Sequence, residues 1–431
     1  MKADLLHFKS GEKYISYIAW LIVLTVVIIS GVRFPVSSLV VGDEVYYREE
    51  VVYLSKYGLY HALSQGTSII YSSVIYLFTK IFSIDYLVGA RILSVVFFLI
   101  SCKLFLKCFE QFKDLGYAEK YFGLVFFATI SMTWLWKGLP DMACASLLLT
   151  CFYILSIAKN YWQILFSGIV LFIGFAVKPI VIFAIPGIIL FIFLKNIRKE
   201  NIIGNAIKTA LFVIGFTVCF IIYHIPGYQA YHRLMLEDKN HTYVADKRVE
   251  NHNLWNERNI YYAAFNLHHK PTEWYVTWEE VDSFKQQHPE INLKMGYSEY
   301  VKKYFSTWAK EIANKVFLSL PSDIQQGFFF SKWTLANKLF KSFFIIRMIT
   351  LILIAVIFFF QRQFIKQNLL LYAIPLSLFL GISIYLFTPL QNNWLLFCMP
   401  FFSLPVVKFL TRYINVMILF ALQVGYIIIT K

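Results

Sequence analysis

The sequence predicts an all-α integral membrane protein of about eleven spans, because apolar stretches near the ~20 residues that cross a bilayer recur along it. Two further observations agree. The 431-residue chain is 58% hydrophobic and 15% charged, whereas soluble domains carry about 25% charged residues. Its formal net charge is +15, and the cations fall in short segments between apolar runs, as the positive-inside rule requires. That distribution argues against nucleic acid as a partner and for contact with membrane lipid, anionic headgroups included.

The elements follow in order. Lys2, Lys9 and Lys13 precede the apolar run Tyr14 to Gly31, so the first span runs outward. No small-x-small cleavage site follows closely, and the span reads as an uncleaved anchor. Val32 to Ala90 is too polar to span. Within it, Tyr46 to Tyr60 and Ser68 to Phe82 are expected as juxtamembrane helices in the first outer loop. Further spans are expected at Arg91 to Phe109, Tyr121 to Trp136, Met142 to Ala158, Tyr161 to Val177, Ile180 to Leu194 and Ala206 to Tyr223. The last four are expected at Leu339 to Phe360, Leu369 to Phe387, Trp394 to Phe409 and Tyr413 to Thr430. The chain then divides into an N-terminal transmembrane module (1–223), an extracytoplasmic insert (224–338) and C-terminal transmembrane helices (339–431). No internal repeat is evident.

The six cysteines lie in or beside apolar runs without a Cys-x-x-Cys pair. They read as small buried hydrophobes.

The acids that the alternation places on the outer side are the chemical candidates. Asp43 and Glu44 follow the first span. A carboxylate partly buried at a membrane surface can serve as a general base; the same pair can equally cap a helix and favour its first turn. Asp141 opens a span behind Pro140 on the same side, as a cap or as a third carboxylate in a shared cavity. Lys178 and Arg91 lie at outer span ends, where a cation either snorkels or binds phosphate.

Three runs carry a resemblance: Gly42-Asp43-Glu44-Val45-Tyr46-Tyr47, Tyr71-Ser72-Ser73-Val74-Ile75-Tyr76 and Gly89-Ala90-Arg91-Ile92-Leu93-Ser94. In this order they resemble the N-terminal signature of GT-C fold glycosyltransferases, of the protein O-mannosyltransferase and lipid A aminoarabinose transferase type. Pro140-Asp141-Met142 is similar to the family's second acidic position, and Ala176-Val177-Lys178-Pro179 to its lysine at the fifth span. The resemblance covers about the first 200 residues. The family's Arg-Tyr before a late proline-containing span is replaced here by Asn393-Trp394-Leu395-Leu396-Phe397-Cys398-Met399-Pro400.

The resemblance implies a GT-C-like fold and an inverting transfer of a sugar from a polyprenyl-phosphate donor to a lipid, glycan or protein hydroxyl. Asp43 would be the base, with Glu44 and Asp141 orienting the acceptor or tuning it. Lys178, Arg91, Tyr46 and Tyr71 would bind substrate, the two cations near the donor phosphate. Some family members use a divalent cation near the acids and others do not, so no cofactor is assigned. A bacterial plasma membrane, with the site facing outward, fits the charge pattern and the Lys-, Ile- and Phe-rich composition.

The histidines His224, His232, His241, His252, His268 and His269 lack compact ligand spacing, and no metal site is assigned. The aromatic run Trp255, Tyr261, Tyr262, Trp274, Tyr275 and Trp278 fits an interfacial belt better than sugar stacking. Asn240-His241-Thr242 has the N-glycosylation pattern. The reading from another class is a transporter or flippase of lipid-linked sugars, for which charges inside spans, such as Arg347, and repeat symmetry are the marks. A scaffold without catalysis would tolerate replacement of both Asp43 and Asp141.

Overall fold

A computed structural model describes residues 2–33, 44–64, 69–132, 134–195, 202–232, parts of 282–309, 343–385 and 396–429. Among these residues the regular structure is helical and there is no strand. That suits a chain whose backbone polar groups must be satisfied where water is scarce.

Helix α1 (Lys2–Arg33) is apolar all round over its Glu12–Val32 stretch. Ala19, Ile22, Val23 and Val26 are buried, while Tyr17, Leu21, Leu24, Ile28 and Val32 are exposed. An exposed aliphatic face opposite a packed one is a lipid-facing face. Three shorter helices follow: α2 (Glu44–Tyr57), α3 (Leu59–Ser64) and α4 (Ile69–Phe82). At 14 residues each, α2 and α4 reach about 21 Å, short of the ~30 Å hydrocarbon core. They occupy the stretch expected to hold juxtamembrane helices.

Helix α5 (Tyr86–Phe109) starts on an Asp85 cap, whose side chain accepts from the Leu87 amide at 2.8 Å. The apolar run suggested a start at Arg91. The cap sets it five residues earlier, so Arg91 sits inside the second turn. Then come α6 (Tyr117–Ser131), α7 (Asp141–Ile157) and α8 (Tyr161–Val177). Asn160 caps α8 by accepting from the Gln163 amide at 2.9 Å. A 3-10 segment (Pro179–Ala184) leads into α9 (Ile185–Lys195), and α10 (Ile202–Tyr231) follows. The insert contributes α11 (Tyr297–Lys303). The C-terminal part holds α12 (Phe343–Phe360), α13 (Arg362–Tyr385), α14 (Cys398–Tyr413) and α15 (Val416–Ile429).

Among the described residues, four helical stretches are long and apolar enough to cross a membrane: Glu12–Val32, Tyr86–Phe109, Ile202–Gln229 and Arg362–Ser383. A fifth arises if α14 and α15, bent by 118° at their junction, form one span. The protein is thus membrane-embedded. The larger count expected from sequence included α6, α7 and α8, which have 15, 17 and 17 residues and reach only about 23–25 Å. These helices are wrapped by neighbours. Most of α7 is buried, from Asp141 to Leu155.

The core is a phenylalanine stack joining α5, α6, α7 and α14. Phe105 and Phe127 ring centroids lie 4.5 Å apart, and Phe152 and Phe401 5.0 Å apart. Lipid tails are as apolar as these rings, so interlocking contact rather than water exclusion holds such helices together. Five cysteines (Cys102, Cys108, Cys144, Cys151 and Cys398) are buried in this bundle and Cys219 is half-buried.

Candidate active site

The site residues gather where α2 begins, α7 begins and α8 ends. The loop from α6 to α7 reaches this place because α1 holds it: Ser30 Oγ donates to the Met132 carbonyl at 3.0 Å and Trp136 Nε1 donates to the Val27 carbonyl at 2.8 Å. Lys137 lies over the Trp134 ring, 4.1 Å from its centroid.

Glu44 and Arg91 meet in the interior, 2% and 1% exposed. Arg91 donates from Nε to Oε1 at 2.9 Å and from Nη2 to Oε2 at 2.7 Å. This forked geometry is what a planar guanidinium offers a carboxylate. The Gly138 amide adds a third donor to Oε1 at 2.7 Å. A side chain at 138 would press a Cβ to 2.8 Å from that of Ala90, so glycine is what lets the loop come this close. Glu44 therefore ties three elements together: the start of α2, the second turn of α5 and the loop before α7.

Asp141 is the first residue of α7, and Pro140 holds the cap position. Its carboxylate pairs with the Lys178 ammonium. Lys178 ends α8, its amide donating to the Gly174 carbonyl at 2.9 Å. Its extended backbone (φ −152°, ψ 109°) is the conformation a following proline favours. The Asp141 side chain is 4% exposed and that of Lys178 18% exposed. The pair is buried on the acid side and open on the cation side.

Tyr71, on α4, links the two ion pairs. Its hydroxyl donates to the Leu139 carbonyl at 3.1 Å, and its ring meets Tyr47 edge-on at 5.5 Å. Burial, then the carboxylates of Asp141 and Glu44, push its phenol well above the ordinary range. It stays a neutral donor. Four successive residues are thus gripped in turn: Gly138 by Glu44, Leu139 by Tyr71, Pro140 as cap, Asp141 by Lys178.

Of the predicted residues, Asp141 and Lys178 come together, Glu44 and Arg91 come together, and Tyr71 lies between the pairs. Tyr46 falls in α2, where its side chain is outside the described residues, as is Asp43. Also outside them are His241, His252, His268, His269, the Trp255 to Trp278 aromatic run and the Asn240-His241-Thr242 triplet. His224 ends up buried in α10 with Nδ1 2.8 Å from the Phe220 carbonyl. His232 terminates the same helix with φ 52°. Among the described residues no three His, Cys, Asp or Glu side chains cluster as metal ligands.

Sequence reasoning passed over Glu50, a fully buried carboxylate on α2 that accepts from Ser72 Oγ of α4 at 2.5 Å. A signal was present. Glu50 stands three residues after Tyr47 and four before Leu54, both buried, so it shares their helix face.

Chemically, the arrangement offers a buried carboxylate paired with a partly exposed ammonium, backed by a neutral phenol. A second, fully neutralised pair lies behind them. Comparison with protein-family models, with curated proteins and with solved structures returned no match to this chain.

Proposed function

We propose that this chain is a membrane glycosyltransferase of the GT-C kind, moving a sugar from a polyprenyl-phosphate carrier to an acceptor hydroxyl. The observation that carries the reading is the convergence of Asp141 and Lys178, 37 residues apart in the chain, beside the Glu44–Arg91 pair and Tyr71. Scattered capping and snorkelling would have left these charges apart.

Lys178 is the cation for the donor phosphate. It is the more open partner of its pair, and an ammonium serves a phosphate as a point charge. Arg91 already has both faces of its fork on Glu44, so its role is to position. The Glu44–Arg91 clasp fixes the first residue of α2, and Asp43 precedes it in the chain. In the reaction the acceptor oxygen attacks the anomeric carbon while Asp43 takes its proton. The bond from that carbon to the phosphate oxygen breaks, and the electron pair leaves with polyprenyl phosphate. One displacement inverts the configuration. Asp141, held by Lys178, orients the acceptor.

Transfer of radiolabelled sugar from polyprenyl-phosphate donors, measured in membranes, tests this. Wild type should transfer, and Asp43→Asn should lose about 10²-fold or more at equal expression, the scale of a removed general base. Equal transfer by both would move the base to Asp141. No transfer with any donor would sink the enzyme reading and leave transport of lipid-linked sugar as the one to assay.

A further inference from the structure

A short turn, Ser83 to Asp85, joins α4 to α5 and has a recess of about 320 Å³ beside it. That volume falls within the ~300–1,000 Å³ of small-molecule sites. The lining residues are Thr79, Lys80, Ser83, Ile84, Asp85 and Tyr86. Asp85 precedes Arg91 by about 9 Å along α5, so the recess adjoins the candidate active site without sharing a residue with it.

The walls are fixed. The Ile84 amide donates to the Thr79 carbonyl at 3.2 Å, closing the end of α4. Thr79 packs onto α5 so closely that a Cβ at Gly89 would fall 2.2 Å from its methyl carbon. Ser83 takes φ 53°, a conformation strained for an L-residue and easy for glycine. The chain carries serine there, and that serine lines the recess.

Lys80 and Asp85 set the chemistry. Both are exposed, and among the described residues neither forms an ion pair. Asp85 accepts from the Leu87 amide through Oδ1, which leaves Oδ2 for a ligand. The Lys80 ammonium lies 5.6 Å from the centroid of the Tyr76 ring. A ring face leaves the N–H groups available to a stronger acceptor. A purely anionic ligand would face Asp85, and a purely cationic one would face Lys80. A ligand carrying both charges satisfies the two.

Ile81 and Phe82 stand in the chain between Lys80 and Ser83, and they are 74% and 59% exposed. Large apolar side chains presented beside charged ones suit the boundary between headgroups and acyl chains. The ligand that matches this turn is therefore an amphiphile.

From this juxtaposition we propose that the recess at the α4–α5 turn binds the headgroup of a zwitterionic phospholipid with a primary ammonium, of the phosphatidylethanolamine kind. Lys80 and Ser83 take the phosphate, Asp85 takes the ammonium, and the acyl chains lie against Ile81 and Phe82. A primary ammonium donates hydrogen bonds to a carboxylate, which a quaternary one cannot. The site does not rest on the glycosyltransferase reading.

The test is lipid retention by the purified full-length chain in native mass spectrometry. The probes are phosphatidylethanolamine, phosphatidylcholine, phosphatidylglycerol and glycerophosphoethanolamine, the last being the headgroup without acyl chains. Wild type should retain phosphatidylethanolamine about fivefold over either other lipid, the scale of one charge contact at a membrane surface. Lys80→Gln should lower that retention about fivefold. Asp85→Asn keeps the helix cap and should erase the preference over phosphatidylglycerol. Lys56→Gln, the same charge change on α2, should behave as wild type. Equal retention of the three lipids by wild type, or undiminished retention by Lys80→Gln, would overturn the proposal. Displacement by equimolar glycerophosphoethanolamine would overturn its lipid part. Ser83→Gly guards against loss of fold: its unfolding midpoint should hold or rise while retention falls about threefold, the loss of one hydrogen bond. Full retention by this folded variant would overturn the Ser83 contact.

Discussion

Glu44 and Arg91 neutralise each other out of reach of water, so each depends on the other. Removing one partner of a buried pair strands the remaining charge at a cost of about 3–5 kcal/mol. Glu44→Gln should therefore lower the melting temperature strongly in detergent, and so should Arg91→Leu. The double change Glu44→Leu/Arg91→Leu should recover part of the loss, which a thermal-shift series reads directly. Asp141 and Lys178 should behave differently, because Lys178 remains partly exposed. Lys178→Met is expected to raise KM for the lipid-phosphate donor about tenfold or more, the loss of roughly one charge-assisted contact. Lys178→Arg should restore part of it. Steady-state kinetics across a donor series separates these outcomes from a general loss of fold.

Between elements, close backbone approach decides the packing of α8 against α10. A Cβ at Gly168 would lie 2.2 Å from the Phe212 carbonyl oxygen, and one at Gly215 2.3 Å from that of Leu165. The two glycines face backbone from opposite sides of one interface, as small residues do between membrane helices. Gly168→Val should force the helices apart and cost about 1–3 kcal/mol, the usual range for overpacking. Gly425→Ala, where nothing lies within 4 Å, should leave stability unchanged or slightly raised. Both are checked by unfolding midpoints of the purified chain. Some element boundaries were legible, others were off by four residues or more, as at the starts of α6 and α13. The apolar run Tyr161 to Val177 matches α8 residue for residue, and α7 begins one residue before its expected start. The start of α5 was not, since the Asp85 cap acts through a local hydrogen bond that an apolar count does not register.

For the molecule as a whole, α7 separates two chemical ends by about 25 Å. One carries paired acids and cations, and the other brings Lys159, Lys195 and Lys208 together. If α7 lies across the bilayer, a cysteine at Lys137→Cys and one at Lys159→Cys should label from opposite sides with a membrane-impermeant maleimide. A Cys219→Ser background removes the half-buried native thiol, and the other five are buried. Labelling of both from one side would place α7 in the plane of the membrane.

Composition and charge distribution were enough to establish a helical, membrane-embedded chain and to single out Asp43, Glu44, Asp141, Lys178 and Arg91 as unusual. Those conclusions rest on local properties: the length of apolar runs, the side on which cations fall, and the rarity of charge near membrane depth. Partners were a different matter. Glu44 lies 47 residues from Arg91, and Asp141 lies 37 from Lys178. Nothing near either member announces the other, and both cations read equally well as phosphate ligands. The packing of α2, α5, α7 and α8 turned Arg91 inward onto Glu44 and left Lys178 partly exposed against Asp141. The same packing buried Glu50 against Ser72 and gathered Lys159, Lys195 and Lys208 over one recess. Side-chain pairing across tens of residues follows from how helices fit together, which depends on the shapes of all their faces at once rather than on the pattern along any one of them.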